Sequence, residues 1–352
     1  MENIKTFDEV KTHLLQQKEK DKDGKTIPRP IHWLFGNGFS ISFSRGMFSY
    51  NAIADQVRNT GDDLLKQLLE RTKNENFEDV MKLLTSFCQL GDLFSIPKIS
   101  RNKIQTAHSG LKAALIDAVK NLHPPMVYSI PEAEAACCYK LLVDFLHTGG
   151  EIFSTNYDLL LYWTLMHKMD KNDCAIDGFA KSPEEDDNRM IWGYNKYRQN
   201  VHYLHGNLLL FDEMPDVVKE VYNGTLLLDN IKNRMEHNEY PLFVTSGDSH
   251  DKKRQIYRNS YLKYCYERLM AARGTIVTFG FGFGHYDEHI IEAINHAASQ
   301  NKAHNLRSVY IGVFSESDVK HIKSIRQKIK PKVEVFDAKT VSLWRDSSNA
   351  KI

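Results

Sequence analysis

The sequence predicts an α/β fold: a doubly wound, mostly parallel sheet with a large helical insertion after its first strand. Three observations predict it. Short apolar runs of strand length alternate with helix-period segments through the second half of the chain. From about residue 50 to 122, strand-like runs are scarce and apolar residues recur at helical spacing. Finally, four short motifs stand where strands would end: Phe35-Gly36-Asn37-Gly38-Phe39-Ser40, Ser154-Thr155-Asn156-Tyr157-Asp158, Tyr203-Leu204-His205-Gly206, and Gly280-Phe281-Gly282-Phe283-Gly284-His285-Tyr286-Asp287. Open α/β sheets hold ligands in the crevice at the carboxyl ends of their strands, so four such ends imply one site drawn from distant parts of the chain. The fold class is Rossmann-like, and residues 1–352 are read as one domain.

The elements follow in order. Phe7, Val10, Leu14 and Leu15 repeat at helical spacing. Lys18 to Lys25 is a charged segment whose D-x-D-G fragment lacks the remaining calcium ligands, so a solvated turn is expected. Ile31-His32-Trp33-Leu34-Phe35 reads as a buried strand entering the first glycine turn. The insertion spans residues 50–148, with apolar stripes at Leu64, Leu65, Leu68 and Leu69 and at Val80, Leu83, Leu84 and Phe87. Pro124-Pro125 breaks it; Pro131 opens a further helix that Gly149-Gly150 ends. A strand at Ile152–Thr155 and a helix at Asp158–His167 come next, and the polar stretch 168–200, with its acidic run Glu184-Glu185-Asp186-Asp187, reads as an exposed loop or excursion. Strands are expected at Val201–His205, Leu242–Thr245, Thr275–Gly280, Ser308–Phe314 and Val333–Phe336. Helices are expected at Val217–Asn233, Asn259–Ala272, Asp287–Ser299 and Glu316–Ile329.

Composition excludes several classes. A formal net charge of +1 gives no electrostatic footprint for nucleic acid, so none is expected as a partner. No apolar run approaches the roughly 18 residues of a membrane span, and the acidic start MENIKTFDEV does not read as a signal peptide. The five cysteines are an odd number without C-x-x-C pairing, which argues for reduced thiols, a cytoplasmic location and no zinc ribbon.

Each motif carries a chemical and a plain structural reading. Gly36-x-Gly38 after a strand lets a backbone approach a pyrophosphate, or makes only a tight turn. The third glycine of a dehydrogenase fingerprint would fall on Ile41, which disfavours hydride transfer. Asn156 offers both a donor and an acceptor, enough to hold a ribose hydroxyl and a water; Thr155, Asn156 and Asp158 are equally helix-cap residues. His205 beside Gly206 at a strand end suits a general base, although a lone histidine is often structural. Gly280, Phe281 and Gly282 form a second close-approach turn, with Asp287 able to reach a ribose or an adenine edge. His285-Tyr286-Asp287-Glu288-His289 also spells H-x-x-E-H, a zinc-protease pattern, but no third ligand stands out, so no metal is expected.

In this order the motifs resemble the sirtuin family: a glycine-rich first turn ending in serine, an asparagine-aspartate strand end, histidine-glycine, and a late glycine turn. The resemblance spans about residues 31–290. The chain lacks the paired C-x-x-C zinc module of deacylating sirtuins and has the long insertion instead. It therefore looks like the divergent sirtuin-like proteins of bacterial anti-phage defence, which hydrolyse NAD. The resemblance implies cleavage of the nicotinamide–ribose bond, with NAD as substrate and no cofactor. It implies that Gly36, Gly38 and Ser40 hold the phosphates, with Asn37, Phe39, Thr155, Gly280, Phe281, Gly282 and Asp287 completing the NAD site. Asn156 and Asp158 would order the nicotinamide ribose and the water. Asn156 and His205 would be catalytic, His205 as a base near its ordinary pKa. A homo-oligomer, or a partner protein such as a defence ATPase, is expected to govern activity. A deacylase, an ADP-ribosyl transferase and a non-catalytic NAD sensor are the alternatives.

Overall fold

A computed structural model describes residues 4–21, 23–44, 62–72, 77–91, 93–122, 124–167, 174–181, 189–237, 239–244, 248–300 and 305–344. Strand β1 (Lys5–Thr6) runs into helix α1 (Phe7–Leu15), which starts at a capping box between Thr6 and Glu9. The charged segment forms a turn, as expected, between β2 (Lys18–Lys20) and β3 (Thr26–Pro28), which pair antiparallel. Then come β4 (Ile31–Phe35), the short helix α2 (Gly38–Phe43) and the helices α3 (Asp63–Thr72), α4 (Phe77–Leu90), α5 (Lys98–Leu122) and α6 (Glu132–Leu146). The second half holds β5 (Ile152–Ser154), α7 (Leu160–His167), β6 (Phe179–Lys181), β7 (Met190–Trp192), β8 (Val201–Tyr203), β9 (Gly206–Glu213), β10 (Asp216–Lys219), α8 (Leu227–Glu236) and β11 (Pro241–Phe243). It closes with α9 (Ser249–Arg258), α10 (Ser260–Met270), β12 (Gly274–Phe279), α11 (Glu288–Ala298), β13 (Leu306–Val313), α12 (Glu316–Ile325) and β14 (Lys332–Asp337).

Seven strands form one all-parallel sheet in the order β1-β14-β13-β12-β4-β5-β8. From the edge strand β1 the chain enters the centre at β4, moves outward through β5 to β8, returns to the centre at β12 and runs out the other way to β14, beside β1. That is the doubly wound order of nucleotide-binding sheets, with its switch point between β4 and β12. The central strands β4 and β12 are buried at every residue, as a sheet covered on both faces requires. Trp33 of β4 stacks on Phe35, on Phe7 of α1 and on Phe145 of α6, with ring centroids 5.1, 5.6 and 4.6 Å apart. At the amino end of the strands, the Glu151 carboxylate accepts from Arg268 and lies 2.8 Å from His202 Nε2. His32 and His202 flank the ring of Phe153 there.

Three expectations differ. A second, antiparallel sheet, β11-β9-β10-β7-β6, was not foreseen. It takes in two strands from the stretch read as an exposed excursion, where Phe179 and Ile191 are buried. The helix expected from Val217 begins at Leu227, because Val217 and Val218 are buried in the β10 hairpin against β9. The strand expected at Leu242 lies in this second sheet, paired with β9. Thr245, the acidic run 184–187 and the insertion up to residue 61 lie outside the described residues. Beyond that point the insertion is helical, and α3, α4 and α5 pack on one another. Their stripes are split: Leu65, Val80 and Leu84 are buried, whereas Leu64, Leu83 and Phe87 are exposed. Among the described residues, no helix is long and apolar enough to cross a membrane.

Candidate functional site

The four motifs leave the sheet at one level. Phe279 is in register with Phe35, Phe35 with Ser154, and Ser154 with Tyr203. Four neighbouring strands, β12, β4, β5 and β8, therefore end side by side around the switch point, and the loops after them lie at the sheet edge where open α/β sheets hold ligands.

The two glycine turns meet each other first. Gly36 N–H donates to Phe279 O at 3.2 Å and Gly38 N–H to Gly280 O at 3.0 Å. A Cβ on Gly38 would stand 2.4 Å from Gly280 Cα, backbone against backbone, so neither position has room for a side chain. Gly282 and Gly284 differ: a Cβ there would meet nothing within 4 Å. Gly206 has its own reason. Its φ is +82°, and a Cβ would fall 1.8 Å from Leu242 O, so glycine lets β11 close on the chain just after His205.

A buried polar knot ties the first turn to the second motif. Ser40 Oγ donates to Asp158 Oδ2 at 2.5 Å and accepts from Asn156 Nδ2 at 3.1 Å. Asp158 Oδ1 accepts from Leu160 N–H at 2.9 Å, so this carboxylate also caps the start of α7. Asn207 Nδ2 donates to Asp158 O at 2.6 Å. Asp158 thus serves as cap and brace together. Among the described residues, Asn156 Oδ1 takes no hydrogen bond, which leaves an acceptor for a ligand hydroxyl.

The fourth motif meets the third. His205 Nε2 lies 2.8 Å from His289 Nε2, and Ser249 Oγ lies 3.2 Å from His289 Nδ1 while accepting the His289 backbone N–H. The fully buried Lys252 of α9 reaches Asp287 Oδ1 at 3.3 Å. Tyr157 donates its hydroxyl to Val244 O at 2.6 Å and sets its ring 6.4 Å from that of His205. The expectation of a histidine near its ordinary pKa is corrected here. Burial, then Lys252 and His289, hold His205 well below that range. Burial, then Lys252 and Lys253, push His289 down to about 3. Both rings are neutral at pH 7.

The zinc-protease pattern does not assemble. His285 is exposed, and the Glu288 carboxylate accepts from Lys328 Nζ at 2.5 Å on the outside of α11. His289 alone turns inward, where its ligand atom comes within 4.8 Å of those of His205 and Asp287. These atoms are already engaged: the two imidazoles with each other, Asp287 with Lys252. The Lys252 ammonium also opposes a dication at that spot.

Sequence reasoning reached Ser40, Asn156, Asp158, His205 and Asp287 but missed Ser249 and Lys252, and took His289 only as part of a protease pattern. The signal for α9 was weak. Asp248 with Asp251 forms a capping box, which marks a helix start but not what the helix brings inward.

The comparisons give a family and no activity. A family model described as a domain of unknown function (DUF4917) matches residues 33–344, so the chain belongs to that family, and the match takes in all four motifs. No curated protein matches the chain.

Proposed function

We propose that this member of the DUF4917 family is an NAD hydrolase that cleaves the nicotinamide–ribose bond to nicotinamide and ADP-ribose. The observation that carries the reading is the register of four motif-bearing strand ends at the switch point of a doubly wound sheet. It puts Asn156 and His205 on the loops after two adjacent parallel strands, in the motif order that resembles the sirtuins.

The chemistry asks little of the protein. Nicotinamide leaves as a neutral group, so the transition state is a ribosyl cation. The protein must orient the bond, exclude competing groups and admit one water. Asn156, held by Ser40, presents its free Oδ1 to a ribose hydroxyl or to that water. His205 takes the proton of the attacking water. The glycine turns at 36–38 and 280–284 line the phosphate side, and Gly282 and Gly284 offer backbone with open space before it.

Regulation belongs to the same reading. An unrestrained NAD hydrolase drains a cofactor that its own cell needs, and a role as a latent effector of anti-phage defence meets that difficulty. The exposed Leu64, Leu83, Phe87, Leu93, Phe94 and Ile99 around α3–α5 support control by self-assembly or by a partner protein.

A protein deacylase or ADP-ribosyl transferase is the second reading, and a non-catalytic sensor the third. Incubation with NAD, with and without an acylated peptide, separates them. Free ADP-ribose supports the hydrolase, acyl-ADP-ribose the deacylase, and ADP-ribosylated protein the transferase. The assay is run on the protein alone and with the product of its neighbouring gene. NAD left intact in every condition refutes the enzyme reading.

A further inference from the structure

Hydrolysis needs a base, yet His205 stands where an added proton cannot stay. It is buried, with Lys252 of α9 and His289 of α11 beside it. His289 is no better a resting place, with Lys252 and Lys253 near it and the ring of Tyr266 stacked on it from α10. The only carboxylate in the group, Asp287, is paired with Lys252. A base that cannot hold its proton must pass it on.

The hydrogen bonds provide a path. His205 Nε2 faces His289 Nε2 at 2.8 Å, and His289 Nδ1 faces Ser249 Oγ at 3.2 Å. Among the described residues, nothing bonds to His205 Nδ1, so this nitrogen is the one left for a substrate. Ser249 is half-buried at the first position of α9, between exposed Asp248 and His250, where water can reach it. A hydroxyl donates and accepts, and a neutral imidazole exists in two tautomers, so every link runs in either direction.

From this geometry we infer that His205, His289 and Ser249 form a neutral proton relay, with His289 and Ser249 as positioning residues that carry the proton of the attacking water outward. This inference rests on the hydrolase reading. At the start, His205 carries its proton on Nε2 and His289 on Nδ1. As the water oxygen bonds to the ribosyl carbon, one of its O–H bonds breaks and that proton goes to His205 Nδ1. The Nε2 proton of His205 moves to His289 Nε2, the Nδ1 proton of His289 moves to Ser249 Oγ, and the hydroxyl proton of Ser249 leaves to solvent. Each ring gains one proton and loses one, so no imidazolium forms beside Lys252. The path run backwards, once product has left and water has returned, resets the tautomers.

The test combines two measurements on the full chain. Nitrogen NMR of histidine side chains between about pH 5.5 and 8 reads charge and tautomer directly. In the native protein, both rings should be neutral throughout, with both tautomers populated. Ser249→Ala should freeze one tautomer, with His205 protonated on Nδ1. Steady-state NAD cleavage should lose on the order of 10²-fold in kcat in both Ser249→Ala and His289→Gln, with KM within about threefold. Glutamine keeps a hydrogen bond to His205 Nε2 but has no second tautomer, so it separates relay from mere orientation. A native kcat in His289→Gln, or an imidazolium at either ring at pH 7, overturns the relay while NAD hydrolysis stands. A neutral two-tautomer pair in a protein that leaves NAD intact both alone and with the product of its neighbouring gene removes the hydrolase reading and, with it, the water whose proton the relay carries.

Discussion

Ser40→Ala should destabilise the fold and the site together, by an amount the polar knot sets. Ser40 is fully buried and its hydroxyl serves two partners. It donates to Asp158 Oδ2 at 2.5 Å, a bond to a charged acceptor, worth roughly 1.5–3 kcal/mol. It accepts from Asn156 Nδ2 at 3.1 Å, a neutral bond worth about 1 kcal/mol. Alanine leaves a carboxylate oxygen and an amide N–H without that partner, both on buried residues, so the expected loss is about 3 kcal/mol. The assay is urea unfolding followed by far-ultraviolet circular dichroism, where the midpoint falls at an unchanged slope. Asn156→Ala provides the contrast. It removes the amide whole and leaves Ser40 bonded to Asp158, so it should cost about 1 kcal/mol or less. The double variant should fall short of the sum of the two losses, because both delete the same Asn156–Ser40 bond. A loss below about 1 kcal/mol for Ser40→Ala, or equal losses for the two single variants, would refute the claim that Ser40 is the joint between the first turn and the second motif.

The remaining predictions concern chemistry, metal and pH. Asn156→Ala and His205→Ala should each lower NAD cleavage on the order of 10²-fold or more with an unchanged circular dichroism spectrum; a native rate in His205→Ala removes the base assignment. Elemental analysis should find no stoichiometric zinc; one zinc per chain that disappears in His205→Ala and His289→Ala would show that the two imidazoles hold a metal rather than each other. Burial pushes the Glu151 carboxyl up, but the His202 imidazole 2.8 Å away and the hydrogen-bonded Arg268 guanidinium outweigh it and hold the pKa at about 2. A depressed carboxylate stabilises the fold above its unfolded pKa and loses that contribution as pH falls through the folded one. Glu151 should thus supply roughly 3 kcal/mol at pH 7, fading between about pH 5 and pH 2. Glu151→Gln should remove that acid limb from the pH dependence of urea unfolding; an unchanged limb assigns it to other carboxylates.

What the chain states by itself is local. Apolar runs bounded by glycine or polar residues marked β4, β5, β8 and β12, which are buried at every residue as a sheet covered on both faces requires, and also β13 and β14, which are only partly buried. The same pattern marked the ends of four of them, and with those ends Ser40, Asn156, Asp158 and His205. The second sheet was not legible, since β6, β7 and β11 are three residues each, and β11 reaches β9 only across the intervening hairpin and helix. Val217 and Val218 suit a helix or a strand equally until β9 lies beside them. Tertiary structure alone decided what each motif residue touches. It set Gly38 against Gly280, a contact between two turns that each read singly as a ligand cradle. It brought Ser249 and Lys252 to His205 from a helix with no motif of its own, and it turned His289 of α11 inward, because the inward residues of a helix are chosen by the surface it packs on. It also lowered the pKa of His205, a quantity that depends on burial and neighbouring charge, neither of which is a property of the neighbours in sequence.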